Sequence, residues 1–154
     1  MKALIIALVL LLSNTQAHSS QEAREACAFI KNFFSEVHAQ LPLQVDYMTR
    51  LIGITPMYIP GKCLITVNYS INEDTAIREF IRAASAESNG RIVPTRQEAV
   101  EAINKPSARR HFRAYMINKL SPDLHAMTEL PGVSLRMNYA YDGNSLKPLV
   151  VEFP

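Results

Sequence analysis

Apolar and polar residues alternate most regularly at Cys63-Leu64-Ile65-Thr66-Val67-Asn68-Tyr69-Ser70-Ile71, where Cys63, Ile65, Val67, Tyr69 and Ile71 fall on one side of the pattern. A period of two predicts a strand with one buried face. The same period returns in Val133, Leu135, Met137, Tyr139 and Tyr141, which alternate with Ser134, Arg136, Asn138 and Ala140. After the turn signal Asp142-Gly143-Asn144 it continues in Leu149, Val151 and Phe153. Pro148 puts the start of that last strand on a sheet edge, because proline cannot donate to a ladder on both sides. Val45, Tyr47 and Leu51 predict one more strand, from about Leu43 to Ile54.

Elsewhere the period lengthens to three or four. Ala23, Ala26, Cys27, Ile30, Phe34, Val37 and Leu41 form the apolar stripe of an amphipathic helix, opened by the capping-box pair Ser19 and Glu22 and stopped by Pro42. A second helix is capped by Asn72 or Asp74, carries Ala76, Ile77, Phe80, Ile81 and Ala84 inward, and ends at Asn89-Gly90. Thr95 and Glu98 announce a third with Ala99, Val100 and Ile103, and Lys105-Pro106 ends it. A fourth runs from about Ser107 to Leu120 with Phe112, Tyr115 and Met116 inward. Ser121-Pro122-Asp123 opens a short fifth that reaches Leu130.

These elements predict an α+β domain. An antiparallel sheet of about four strands, two central and two C-terminal, is expected, with the N-terminal helix and the central helical block packed on one face. The other face would show Thr66, Asn68, Ser70, Ser134, Arg136 and Asn138. No internal repeat or linker interrupts the chain.

Between the first two expected strands lies Thr55-Pro56-Met57-Tyr58-Ile59-Pro60-Gly61. Loops usually carry polar residues over the surface. Here Met57, Tyr58 and Ile59 either tuck over the end of the core or form a proline-stiffened apolar tip that meets a partner.

The first residues have a different character. Lys2 precedes an apolar run from Ala3 to Leu12 and a small, polar end from Ser13 to Ala17. That run is about half the length needed to span a bilayer. It reads as an export signal, residues 1–17, cleaved after Ala17 to leave a soluble single domain of residues 18–154 with no transmembrane segment. Export gives the two cysteines an oxidising compartment in which to pair. Cys27 lies on the helical stripe and Cys63 on the buried face of the central strand, so a Cys27 to Cys63 bridge would staple helix to sheet and contribute about 3–4 kcal/mol.

Charge excludes one class of partner. The chain of 154 residues has 16 basic and 14 acidic side chains, too even a balance for nucleic-acid binding. Its densest charge is Arg109-Arg110-His111-Phe112-Arg113, preceded by Lys105. Spacing of four sets Lys105, Arg109 and Arg113 on one helical face, where Arg109, Arg110 and Arg113 suit an anionic polymer or lipid, or an acidic protein. A solvated charged face has the same appearance.

No phosphate loop, HExxH, nucleophile elbow or CxxC occurs, and no cofactor or metal is implied. The expectation is an exported binding or accessory protein of a bacterial-type envelope, periplasmic or secreted, of the inhibitor, immunity or assembly kind. It would act on a protein partner through Met57, Tyr58 and Ile59, and through Arg109, Arg110 and Arg113. Two other readings stand beside it: a small hydrolase with a dispersed site using His111 or His125 as base, and a subunit of a surface assembly pairing through its C-terminal strand.

Overall fold

The computed structural model describes residues 20–118 and 122–153. The export signal, its cleavage site and Ser19 lie outside the described residues.

Helix α1 covers residues 20–33, breaks at Phe34 and resumes as α2 (Ser35–Ala39). Ala23, Cys27, Ile30 and Phe34 of its stripe are buried. A short strand and a hairpin follow: β1 (Leu43–Gln44), then β2 (Thr49–Ile59) and β3 (Lys62–Ile71). The helical block is α3 (Glu73–Glu87), α4 (Arg96–Asn104), α5 (Pro106–Asn118) and α6 (Pro122–Thr128). Strands β4 (Val133–Tyr141) and β5 (Leu149–Phe153) end the fold. No helix among the described residues is long and apolar enough to cross a membrane.

The α+β class and the helices on one face of a sheet are observed, with two differences in the sheet. It has five strands in the order β1-β2-β3-β4-β5, and β3 pairs with β4 in parallel, Cys63 opposite Val133 and Ile71 opposite Tyr141. The reason lies in the connection: the four helices carry the chain from the end of β3 back to its beginning, and a crossover of that kind joins parallel neighbours. The remaining pairs are antiparallel.

The expected strand from Leu43 to Ile54 is instead two. Asp46 turns the chain, its carboxylate accepting the backbone N–H groups of Met48 and Thr49, each at 2.8 Å. Strand β2 then runs through the apolar connection to Ile59, so the segment read as a loop is ladder up to Ile59 opposite Lys62. Pro56 is accommodated because β1 flanks β2 only at Arg50 and Leu51, leaving the outer side of β2 open farther on. Pro60-Gly61 makes the turn, with Gly61 at φ +85° in the conformation that a turn residue after proline requires.

One face of the sheet is dry. Cys63, Ile65, Val67, Leu135, Met137, Tyr139, Leu149 and Val151 meet α1 there and form the main core. Cys27 is bonded to Cys63, their Cα atoms 5.2 Å apart, which fastens α1 across the middle of the sheet. A smaller core of Ile77, Ala99 and Leu146 joins α3, α4 and the β4–β5 connection. Asn72 caps α3 by accepting the N–H of Thr75 at 2.9 Å, and Thr95 and Glu98 form a complete capping box on α4.

Candidate functional site

The two cores do not meet everywhere. Where β3 and β4 end, α3, α4 and α5 bridge over them and leave a cavity of about 390 Å3. Ile71 and Tyr141, paired across the sheet, line it together with Met48 and Leu149. Phe80 of α3, Ile103 of α4 and Phe112 of α5 line it from the helices. Its few polar groups are Glu79, Arg109, His111 and the hydroxyls of Tyr115 and Tyr141. Burial raises the pKa of Tyr141, and the nearby positive charge of Arg109 opposes that rise.

One wall depends on the connection between β4 and β5. Glu73, buried at the start of α3, accepts the backbone N–H groups of Ser145 and Leu146, each at 2.9 Å. Gly143 has no side chain where that carboxylate lies, so any Cβ there would collide with it. Asn104 grips the same segment, donating to the carbonyl of Ser145 at 2.8 Å and accepting from the N–H of Lys147 at 2.9 Å. The grip fixes alternation: Leu146 and Leu149 line the cavity, and Lys147 lines a second concavity on the other side.

That second concavity, about 270 Å3, is lined by Asn104, Pro106, Arg109, Arg110, Arg113 and Lys147. Arg109 lines both. Its guanidinium donates to the carbonyls of Lys147 and Pro148, each at 2.6 Å, while Arg113 donates from Nε to the carbonyl of Val150 at 3.2 Å. The arginines therefore latch α5 to the strand at the end of the sheet. They give donors to an edge that has no neighbouring strand among the described residues, one of the ways a sheet edge is kept from pairing with other chains. Arg110 stands exposed at the rim.

The apolar residues expected at a tip separate by face. Tyr58 turns to α1, where its hydroxyl meets Ser20 at 2.7 Å and the Arg24 guanidinium sits 5.2 Å from its ring centroid. The Ser20 hydrogen bond lowers the Tyr58 pKa. Met57 lies opposite Leu64 on the outward face and is 50% exposed, with Ile59 at the end of the strand half-buried. The structure thus separates the arginine group from Met57, Tyr58 and Ile59 rather than joining them in one surface.

The histidines also part. His111 lines the cavity. His38 bonds through Nε2 to the carbonyl of Ile54 at 2.7 Å, and His125 lies 3.7 Å from Glu129 on the exposed side of α6. Among the described residues, no three His, Cys, Asp or Glu side chains are grouped to hold a metal ion. The outward face of the sheet carries the expected polar residues, with Asn138 donating to Asn68 at 2.8 Å and Arg136 paired with Glu152 at 2.7 Å.

The sequence did not single out the cavity. Phe80, Ile103 and Phe112 read as core residues on helical stripes, which they are; a stripe does not tell whether its side chains meet or leave space.

No protein-family model matches the chain, and no curated protein is significantly similar to it. Among solved structures, it is similar to a Pseudomonas aeruginosa protein predicted to be secreted, with 13% identity and a TM-score of 0.40 over 86% of this chain and 91% of that one.

Proposed function

We propose that this is an exported binding protein, periplasmic or secreted, and that its ligand is an apolar molecule held in the cavity between the helical block and the sheet. The cavity carries the reading: about 390 Å3 of mostly apolar lining with a few polar groups at fixed places is the usual form of a small-molecule site. Export is supported by the leader-like residues 1–17 and by the Cys27–Cys63 bridge, which needs an oxidising compartment. The single soluble domain of residues 18–154 belongs to the same proposal.

Binding is favoured over covalent catalysis because, among the described residues, no serine, threonine or cysteine lines the cavity beside His111. A neutral fluorescent naphthylamine, whose emission rises in apolar surroundings, tests the site. The oxidised protein should bind it in the micromolar range, and Ala108→Leu, which extends a side chain into the cavity, should weaken binding more than about tenfold while leaving the protein folded. Unchanged probe binding by the folded variant would remove the cavity as the site.

A second reading keeps a protein partner, because Met57 is half exposed at the far end of the β2–β3 hairpin. It assigns contact to Met57 and Ile59, with Tyr58 holding the hairpin to α1. Serine at 57 and 59 would then abolish capture of an envelope protein without affecting the naphthylamine; equal capture by wild type and variant would eliminate this surface.

A further inference from the structure

The cleft behind Arg109 is built differently from the cavity on its other side. Three guanidinium groups and one ammonium line it, from Arg109, Arg110, Arg113 and Lys147, and among the described residues no carboxylate does. None of these four side chains is in a salt bridge among the described residues, although Arg82, Arg96 and Arg136 all are. Like charges brought together in a concavity repel one another, so the hydrogen bonds of Arg109 and Arg113 stabilise the unliganded fold while the gathering of charge opposes it.

Two of the cations are also held in place. Arg109 uses one N–H from each terminal nitrogen on the carbonyls of Lys147 and Pro148, and Arg113 uses Nε on Val150. A guanidinium has five donors, so these bonds fix both groups and leave donors on each for something else. Asn104 fixes the backbone of Lys147 from below. A site with two of its cations already immobilised loses less further entropy on binding.

We propose that this cleft binds a phosphate-bearing ligand, independently of what fills the apolar cavity. A carboxylate is planar and is satisfied by a single guanidinium fork. A phosphate group has oxygens directed to several sides and one or two negative charges, and can take donors from Arg109, Arg110, Arg113 and Lys147 together. Arg109 and Arg113 hold the strand edge and also supply charge; Arg110 and Lys147 have no hydrogen bond from their side chains among the described residues and serve the anion alone.

Titration calorimetry of the oxidised protein with inorganic pyrophosphate, and with sulfate at matched ionic strength, tests the proposal. Pyrophosphate should bind at least tenfold more tightly than sulfate. Arg110→Ala with Lys147→Ala should weaken it by more than about tenfold, since each charge-assisted hydrogen bond removed is worth roughly that factor. A cooperative denaturant-unfolding transition shows that the same variant is folded.

Sedimentation with vesicles distinguishes the source. Binding to phosphatidylglycerol vesicles and not to phosphatidylcholine, lost in the double variant, identifies a lipid headgroup; pyrophosphate binding without vesicle binding identifies a soluble phosphate. The proposal is overturned if neither pyrophosphate nor phosphatidylglycerol binds, if sulfate equals pyrophosphate, or if the double variant binds as the wild type does.

Discussion

Two helices are fastened to this sheet by opposite means. Helix α1 is joined to β3 by the covalent Cys27–Cys63 bond, over a core in which Ile30, Cys63, Ile65 and Val67 have almost no exposed surface. Helix α5 is joined to β5 by arginine side chains that reach backbone carbonyls, over a cavity on one side and a charged cleft on the other. A covalent bond spans a fixed short distance and brings the elements into full contact. A guanidinium is long and satisfies its partners from farther away, so the elements it links need not close. The two concavities described lie on the side held by hydrogen bonds, which is why binding is assigned there.

The comparison is broken most severely at the covalent side. Replacing Cys27 and Cys63 by alanine opens a link of sequence separation 36 and should reduce unfolding free energy by about 2–5 kcal/mol, measured by denaturant titration. Reduction of the wild type should give a similar loss, yet affinity for the naphthylamine in the fraction still folded should change little. A large loss of affinity on reduction would show that the two sides are mechanically coupled.

Breaking the latch should cost less stability and more binding. Arg109→Ala leaves the carbonyls of Lys147 and Pro148 without that donor, and the expected loss is about 1–3 kcal/mol. Arg113→Ala removes one longer hydrogen bond at 3.2 Å and should cost about 1 kcal/mol. Either change frees the segment that lines both concavities, so probe and anion affinities should fall together. If Arg109→Ala were as stable as the wild type, the latch would be a feature of the surface and not of the fold.

Much of the covalent side is local in origin and was readable from the chain. The stripe through Ala23, Cys27, Ile30 and Phe34 has helical period, and β3 has strand period. The latched side depends on residues distant in sequence. Arg109 and Pro148 meet only because α5 lies beside β5, and no spacing within Lys105 to Arg113 distinguishes a latch from a solvated face. The division of the first strand at Asp46 depended on a side chain capturing backbone N–H groups, and the bulge between Leu51 and Gly53 shifts the pattern that periodicity reads. Parallel pairing of β3 with β4 follows from where the helical block deposits the chain, which hydrophobic period does not encode.

An effect confined to alkaline pH is expected from the residues between the two sides. Tyr69 and Tyr139 stack at 5.0 Å, and Phe112 of α5 meets Tyr139 edge-on at 6.3 Å, so these rings connect the sheet to the latched helix. The Tyr139 hydroxyl has Met137 sulfur at 3.8 Å, a weak partner, and burial raises the pKa of both tyrosines above the ordinary value of 10.0. An acid whose pKa is raised by folding keeps its proton in the native state while the unfolded chain loses it. Their contribution is therefore intact below pH 10.0 and is lost progressively as pH rises beyond it toward the folded values. At about pH 11 the loss is at most roughly 1.4 kcal/mol per tyrosine. Stability measured by denaturant titration should decline above that point in the wild type and decline less in Tyr139→Phe, with the two proteins similar at neutral pH. Coincident alkaline limbs would mean that the hydroxyl reaches water, and that the rings under α5 are less tightly closed than the core under α1.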